Sequence, residues 1–331
     1  MKRSTAIGIK LAVFIGIVLL FVWALIAYAA IHRKGGGHPS TKETFWGDRK
    51  RIEKIFVLKS GGSFELSTDI GEVMVEGWEK EEVSFQAEIT GEPRFVQDFT
   101  LSFDTTNQRI VVRGKYEHNI WFFNDWDNAD VHFNIKVPQQ CSIDVKTSGG
   151  NVSVASLQGE VRGSTSGGSV TVHDVKGITV LHTSGGSVNA KNVEGSCEAK
   201  TSGGGIHIEN VKGSTTANTS GGNLDLEEIE GKIDAYTSGG NIYARIRGSN
   251  EGILMRTSGG SITLEVPLTI SADVDASTSG GSVQCDLPIS VRGKMDEDEV
   301  AGKINGGGNI VRLKSSGGNI HIRGIQSPET H

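Results

Sequence analysis

The sequence predicts an all-β fold: a single-stranded parallel β-solenoid of about ten coils of ~18 residues, preceded by an N-terminal transmembrane helix. Three observations carry this reading. The tetrapeptide Thr-Ser-Gly-Gly occurs eight times, starting at Thr147, Thr165, Thr183, Thr201, Thr219, Thr237, Thr257 and Thr278, and the first six copies are 18 residues apart. Between the copies, apolar residues return at fixed columns. Gly reaches 45 residues against only 6 Pro, which fits recurring turns and argues against collagen or disorder.

Counting Thr as position 1, position 6 reads Val152, Val170, Val188, Ile206, Leu224 and Ile242, and position 8 includes Val154, Val172, Ile208 and Leu226. Position 11 is always aliphatic, from Leu157 to Ile229, and position 13 is Gly from Gly159 to Gly231. Each coil therefore offers two short strands, near positions 5–9 and 14–18, with glycine corners. An antiparallel meander gives no reason for one residue type to recur at one column. Parallel stacking does, because it sets position n of each coil on position n of the next, ~4.8 Å away. Glycines at positions 3 and 4 are expected to supply positive φ or to let coils approach closely.

Along the chain, residues 1–34 read as a cytoplasmic stub and anchor. Leu11 to Ile31 is an uncharged run of 21 residues behind Lys2, Arg3 and Lys10, long enough at about 1.5 Å per residue to cross a bilayer. A cleaved signal is the rival, since Ala27-Tyr28-Ala29 offers a small-x-small site, but the run exceeds the roughly 7–15 residues of a signal core. The ectodomain is placed outside the cytoplasm, periplasmic or extracellular. Residues 35–50 read as a flexible tether. Residues 51–146 alternate with period 2, as in Val83/Phe85 and Phe133/Ile135/Val137, and read as divergent first coils plus longer strands capping the stack. Residues 147–324 hold the repeats and 325–331 a tail. Arg292 to Lys303 reads as a polar insertion on one loop face. The final coil, near Ile320 and Ile322, reads as an open edge that invites weak self-association.

Charge narrows the partners. The net charge is -6; residues 1–34 hold five Lys/Arg and no acid, leaving 28 basic against 39 acidic residues, or -11, in the remainder. Nucleic acid is excluded as a partner, since it needs a basic stripe. Cys141, Cys197 and Cys285 lack metal-type spacing and read as packed thiols.

Ser67–Val83 (STDIGEVMVEGWEKEEV), Ile135–Val154 (IKVPQQCSIDVKTSGGNVSV) and the serial Thr-Ser-Gly-Gly coils resemble the bacterial putative-adhesin family, domain of unknown function 4097, over roughly residues 50 to 323. The resemblance implies a β-repeat protein of the bacterial envelope, often beside a membrane span and sometimes linked to envelope stress. It implies no catalytic residues and no cofactor. The acidic insertion and an aromatic loop depart from the family pattern.

Four features invite chemistry. The Thr column resembles an ice-binding array, but a turn motif whose hydroxyls satisfy corner amides is the simpler reading. His207, Glu209, Asp225 and Glu227 fall on outward columns of adjacent coils, where paired carboxylates can hold a divalent cation or act as acid and base; against this stands a solvated charged face. Trp121, Phe122, Phe123 and Trp126 suit a protein or glycan contact, or else a loop folded over the end of the core. Asp125, Asp127, Asn128 and Asp130 imitate a calcium loop without its glycine and distal Glu.

The leading expectation is a membrane-anchored envelope protein of structural, adhesive or binding role, without catalysis, meeting an envelope protein or glycan. A polysaccharide-active β-helix enzyme and an envelope-stress sensor are the alternatives.

Overall fold

The computed structural model describes residues 41–106, 108–117, 129–291 and 296–326. The Leu11–Ile31 run lies outside them, and among the described residues no helix is long and apolar enough to cross a membrane. Among the described residues, twenty-six strands join in one hydrogen-bonded network with a single six-residue helix, Pro93–Asp98.

The network folds into two ladders around one core. A back strand such as Val161–Thr165 leads through Thr-Ser-Gly-Gly into a front strand such as Val170–Lys176. Each then pairs in parallel with its equivalent 18 residues on: Val161 with Thr179, and Val170 with Val188. The inward columns that the sequence predicts are buried throughout, for example Val172, Val193, Ile208, Leu226 and Ala235. Burying each aliphatic side chain contributes about 1.5–3 kcal/mol.

Two details of the coil differ from expectation. The front strand runs through position 12 rather than stopping at 9, because position 10 adopts a left-handed conformation that bulges and bends it. Ser156, Asp174, Asn192, Asn210 and Glu228 all have φ between 55° and 59°, and each is skipped in the register. The back strand includes the Thr itself. Alternation from positions 15 and 17 therefore turns Thr inward and leaves Ser148, Ser166, Ser184 and Ser202 exposed. The described turn threonines therefore form no outward array.

The Thr hydroxyl is instead a clamp between coils. Thr165 Oγ1 accepts from the Gly168 amide at 3.3 Å and donates to the Gly150 carbonyl of the preceding coil at 2.9 Å. Thr183, Thr201, Thr219, Thr237 and Thr257 repeat both contacts. This closeness explains the position 4 glycine: a Cβ on Gly186 would meet Gly168 O at 2.1 Å. At position 13 both reasons apply, since Gly195 has φ 141° and its Cβ would meet Gly177 O at 2.2 Å.

Stacking order departs from chain order at both ends. Among the described residues eleven rungs stack. Their back strands contain, in order, Arg109, Gly62, Cys141, Val161, Thr179, Cys197, Thr215, Ile233, Ile253, Val311 and Val274. The Gly62 rung thus sits inside the Arg109 rung, and the last coil of the chain sits inside the one before it. Ile320 pairs with Ile262 on one side and with Val283 on the other. The open edge expected at Ile320 and Ile322 is therefore absent, and self-association through that coil loses its physical basis.

Antiparallel strands cap both ladders at one end and the back ladder at the other. At one end the front ladder continues through Glu82–Thr90, Arg49–Val57 and Thr41–Phe45, and the back ladder ends in Phe99–Thr106. Residues 41–50, expected within the tether, thus carry an edge strand. Phe85 meets Phe103 edge-on at 5.3 Å and Phe133 at 6.0 Å, sealing the core there. At the other end Glu299–Ile304 pairs antiparallel with Ala272–Thr278 and Ile289–Val291. The second half of the expected polar insertion is therefore a capping strand, with Val300 buried. Burial pushes the Cys141 and Cys197 thiols up to about 12, which makes them packing groups rather than nucleophiles.

Candidate functional site

The outward side chains of the front ladder occupy positions 7 and 9, and parallel register sets each column in line. Position 9 reads Lys191, Glu209, Glu227, Arg245, Glu265 and Arg323 across successive rungs. The last contact arises because the inserted final coil places Arg323 beside Glu265. Position 7 sets His207 next to Asp225 and Asp225 next to Tyr243.

The expected cluster is brought together in part. His207 Nδ1 lies 3.2 Å from Asp225 Oδ2, and potential ligand atoms of His207, Asp225 and Glu227 lie within 4.8 Å of one another. Asp225 Oδ1 is shielded from solvent and has no hydrogen-bond partner. Glu209 does not join them, because it accepts from Lys191 Nζ at 2.9 Å. Arg245 stands 3.7 Å from Glu227 and opposes a cation there. An imidazole and two carboxylates offer a partial divalent-cation set, in a face whose other charges are already matched.

The strongest polar knot lies one rung further on, and the tetrapeptide pattern alone does not single it out. Glu265 Oε2 accepts from Tyr243 at 2.8 Å and from Arg245 Nε at 2.9 Å, and Arg323 lies 3.9 Å from the other oxygen. Burial opposes ionisation of Glu265, yet the hydrogen bonds from Tyr243 and Arg245 and the nearby guanidinium charges hold its carboxyl below the usual range. Burial, then the Glu265 carboxylate, pushes Tyr243 up to about 12. The signal was present in the sequence. Aligning Arg245, Glu265 and Arg323 on Thr237, Thr257 and Ser315 puts all three at position 9.

The other expected contacts divide. Trp121, Phe122, Phe123 and Trp126 lie outside the described residues, as do Asp125, Asp127 and Asn128. The strands flanking that segment, Arg109–Tyr116 and Asp130–Pro138, form the end rung. Asp130, the one described member of the calcium-loop pattern, is engaged by His132 Nε2 at 2.7 Å.

Solved structures with related traces are distant. A putative adhesin from Parabacteroides merdae is 13% identical, with 84% of this chain and 97% of that chain covered and a TM-score of 0.47. A putative adhesin from Bacteroides fragilis is 14% identical, covering 85% of this chain and 100% of its own, with a TM-score of 0.41. A putative lipid binding protein from Parabacteroides distasonis is 13% identical, covering 87% and 98%, with a TM-score of 0.44. No curated protein matches the chain. The Thr-Ser-Gly-Gly coils and the rungs they build nonetheless have a family counterpart over residues 63–323, and the chain belongs to the Toastrack DUF4097 family.

Proposed function

We propose that the chain is a membrane-anchored envelope protein whose solenoid is a stiff binding scaffold, and that its contacts are made on the flanks of the stack. The observation that carries this reading is that antiparallel strands cap both ladders at one end and the back ladder at the other, while the two flanks present in-register polar ladders. Eleven rungs at ~4.8 Å span roughly 50 Å, enough to hold a binding face clear of a bilayer. The uncharged Leu11–Ile31 run supports the anchor, and the family supports a structural or binding role rather than a catalytic one.

Cell fractionation tests this. The full chain is expected in the membrane pellet after alkaline extraction, with its solenoid open to protease added outside the cytoplasmic membrane. Recovery as a soluble protein, or protection from that protease, refutes the anchored-scaffold reading.

A second reading rests on the convergence of His207, Asp225 and Glu227. If the flank acts on polysaccharides, turnover of an acidic glycan is expected and Glu227→Gln abolishes it. Turnover that survives Glu227→Gln removes this cluster from consideration.

A further inference from the structure

The back ladder has its own outward column, the residue just before each turn Thr or Ser. From Lys146 to Lys314 that column contains no acid, and its basic residues are Lys146, His182, Lys200, Arg256 and Lys314. Lys146 and Lys200 are neutralised on their own strands, by Asp144 at 2.7 Å and by Glu198. Arg256 and Lys314 are not. The residues two places before them are Leu254 and Arg312, and Arg312 occupies the neighbouring carboxylate of Asp275 at 2.7 Å. Arg256 and Lys314 are register partners on adjacent strands, so two like charges stand side by side without a counter-ion among the described residues. That juxtaposition exists only because the final coil is inserted there.

The surroundings define what fits. Arg256 and Lys314 share a groove of about 280 Å3 with the hydroxyls of Ser258, Ser279 and Ser316. One rung beyond Arg256 stands Tyr236, 39% exposed, its hydroxyl 3.1 Å from Ser238 Oγ. On the opposite side, Ser277 is followed by Glu299, whose charge turns an anionic ligand back towards Tyr236. An anion held between two cations, hydroxyls around it and an aromatic ring one rung away match a charged sugar with a neighbouring ring to stack. Two uncompensated cations on an ectodomain of net charge -11 are too few for a phosphate backbone.

We propose that Arg256 and Lys314 bind the anionic group of an acidic polysaccharide, whose adjoining sugar packs on Tyr236. This inference rests on the flank-binding reading above and gives it a ligand class. The carboxylate of a uronic acid and a sulfate ester share the required chemistry.

The test measures binding of the full chain in detergent micelles to oligogalacturonate, sulfated dextran, neutral dextran and duplex DNA. Oligogalacturonate or sulfated dextran is expected to bind and neutral dextran and DNA to fail, the first two distinguishing carboxylate from sulfate. Arg256→Gln and Lys314→Gln are each expected to weaken binding about tenfold, as for loss of one charge-assisted hydrogen bond. Tyr236→Ala weakens it by about threefold, and Lys200→Gln leaves it unchanged. Equal binding of DNA, or an equal loss with Lys200→Gln, overturns the proposal in favour of diffuse attraction. If an acidic glycan binds but Arg256→Gln and Lys314→Gln do not alter it, the site is wrong while the scaffold reading stands. If no glycan binds and the anchored chain still cross-links to an envelope component in cells, the ligand class is wrong and the scaffold reading again stands.

Discussion

The side-chain amide of Asn210 donates to Oδ1 of Asn192, one coil away, at 2.7 Å. Asn192 in turn donates to Asp174 Oδ1 at 2.8 Å. All three residues are left-handed, so the ladder of polar side chains runs along the bulges that turn each front strand towards its glycine corner.

A left-handed residue costs roughly 1–2 kcal/mol, less for Asn and Asp, whose short polar side chains suit that region, and the amide ladder offsets what remains. Asn210→Ala raises the strain and deletes the bond, so a loss of at least about 1 kcal/mol is expected. Asn210→Gly deletes the same bond but relieves the strain, and is expected to be nearly neutral. Urea unfolding of the two variants decides the matter; equal losses would show that backbone strain plays no part.

Adjacent glycines of one turn are expected to behave oppositely. A Cβ on Gly203 meets its nearest atom, Gly185 O, at 3.5 Å, an ordinary contact, whereas a Cβ on Gly204 would lie 2.0 Å from Gly186 O. Gly203→Ala should fold with nearly unchanged stability. Gly204→Ala should force adjacent coils apart, at a cost of at least the 1–3 kcal/mol typical of overpacking. Thermal unfolding that ranks Gly203→Ala as the more damaging change would contradict the stacking geometry.

The period of 18 made the ladders and their inward columns legible, because a column repeats only if coils stack in parallel. Stacking order was not legible, for a related reason. Ser315-Ser-Gly-Gly presents the same turn and the same inward residues as any other coil, with Ser315 Oγ reaching Gly260 O at 2.8 Å just as a Thr would. Such a coil carries no address that says which neighbours it takes. The Thr hydroxyl's bond to a corner amide was legible from the tetrapeptide, but its second bond, to the preceding coil, was not, because it requires the back strand to run on through the Thr. The position 10 bulge was hidden by the mixture of Ser, Asp, Asn and Glu there, of which only Asp and Asn favour the left-handed region. The charged patch was half legible: His207 over Asp225 follows from the period, but the bonds of Lys191 and Arg245 to their acids depend on how long side chains lean across rungs.

The Tyr243–Glu265 pair gives stability a dependence on pH with two limbs. The Glu265 carboxyl is held below its ordinary value of 4.5, so its contribution is complete above that pH and is lost as the pH falls. Tyr243 is raised from 10.0 to about 12, so its contribution is complete below 10 and is lost as the pH climbs through about 12. Tyr243→Phe should lower the unfolding midpoint at neutral pH and reduce its decline at alkaline pH. An ultraviolet tyrosinate titration checks the assignment directly, since the wild-type curve minus that of Tyr243→Phe should show a step near 12.

The same substitution four residues apart is expected to change stability in opposite directions. Thr219 Oγ1 joins the Gly222 amide at 3.3 Å to the Gly204 carbonyl at 2.9 Å, so Thr219→Val leaves two half-buried backbone groups without that partner. A loss of about 1–3 kcal/mol follows, while Thr219→Ser, which copies the natural Ser315, should recover most of it. Thr215 is equally buried, at 1% exposure, but its hydroxyl has no hydrogen-bond partner, and its ladder neighbours are Cys197 and Ile233. Its polar oxygen gains nothing there and costs its desolvation. Thr215→Val keeps the branched shape and should stabilise the fold by about 1 kcal/mol. Chemical unfolding of the two Val variants reads the contrast, and a destabilised Thr215→Val would mean that the hydroxyl at 215 is satisfied in solution.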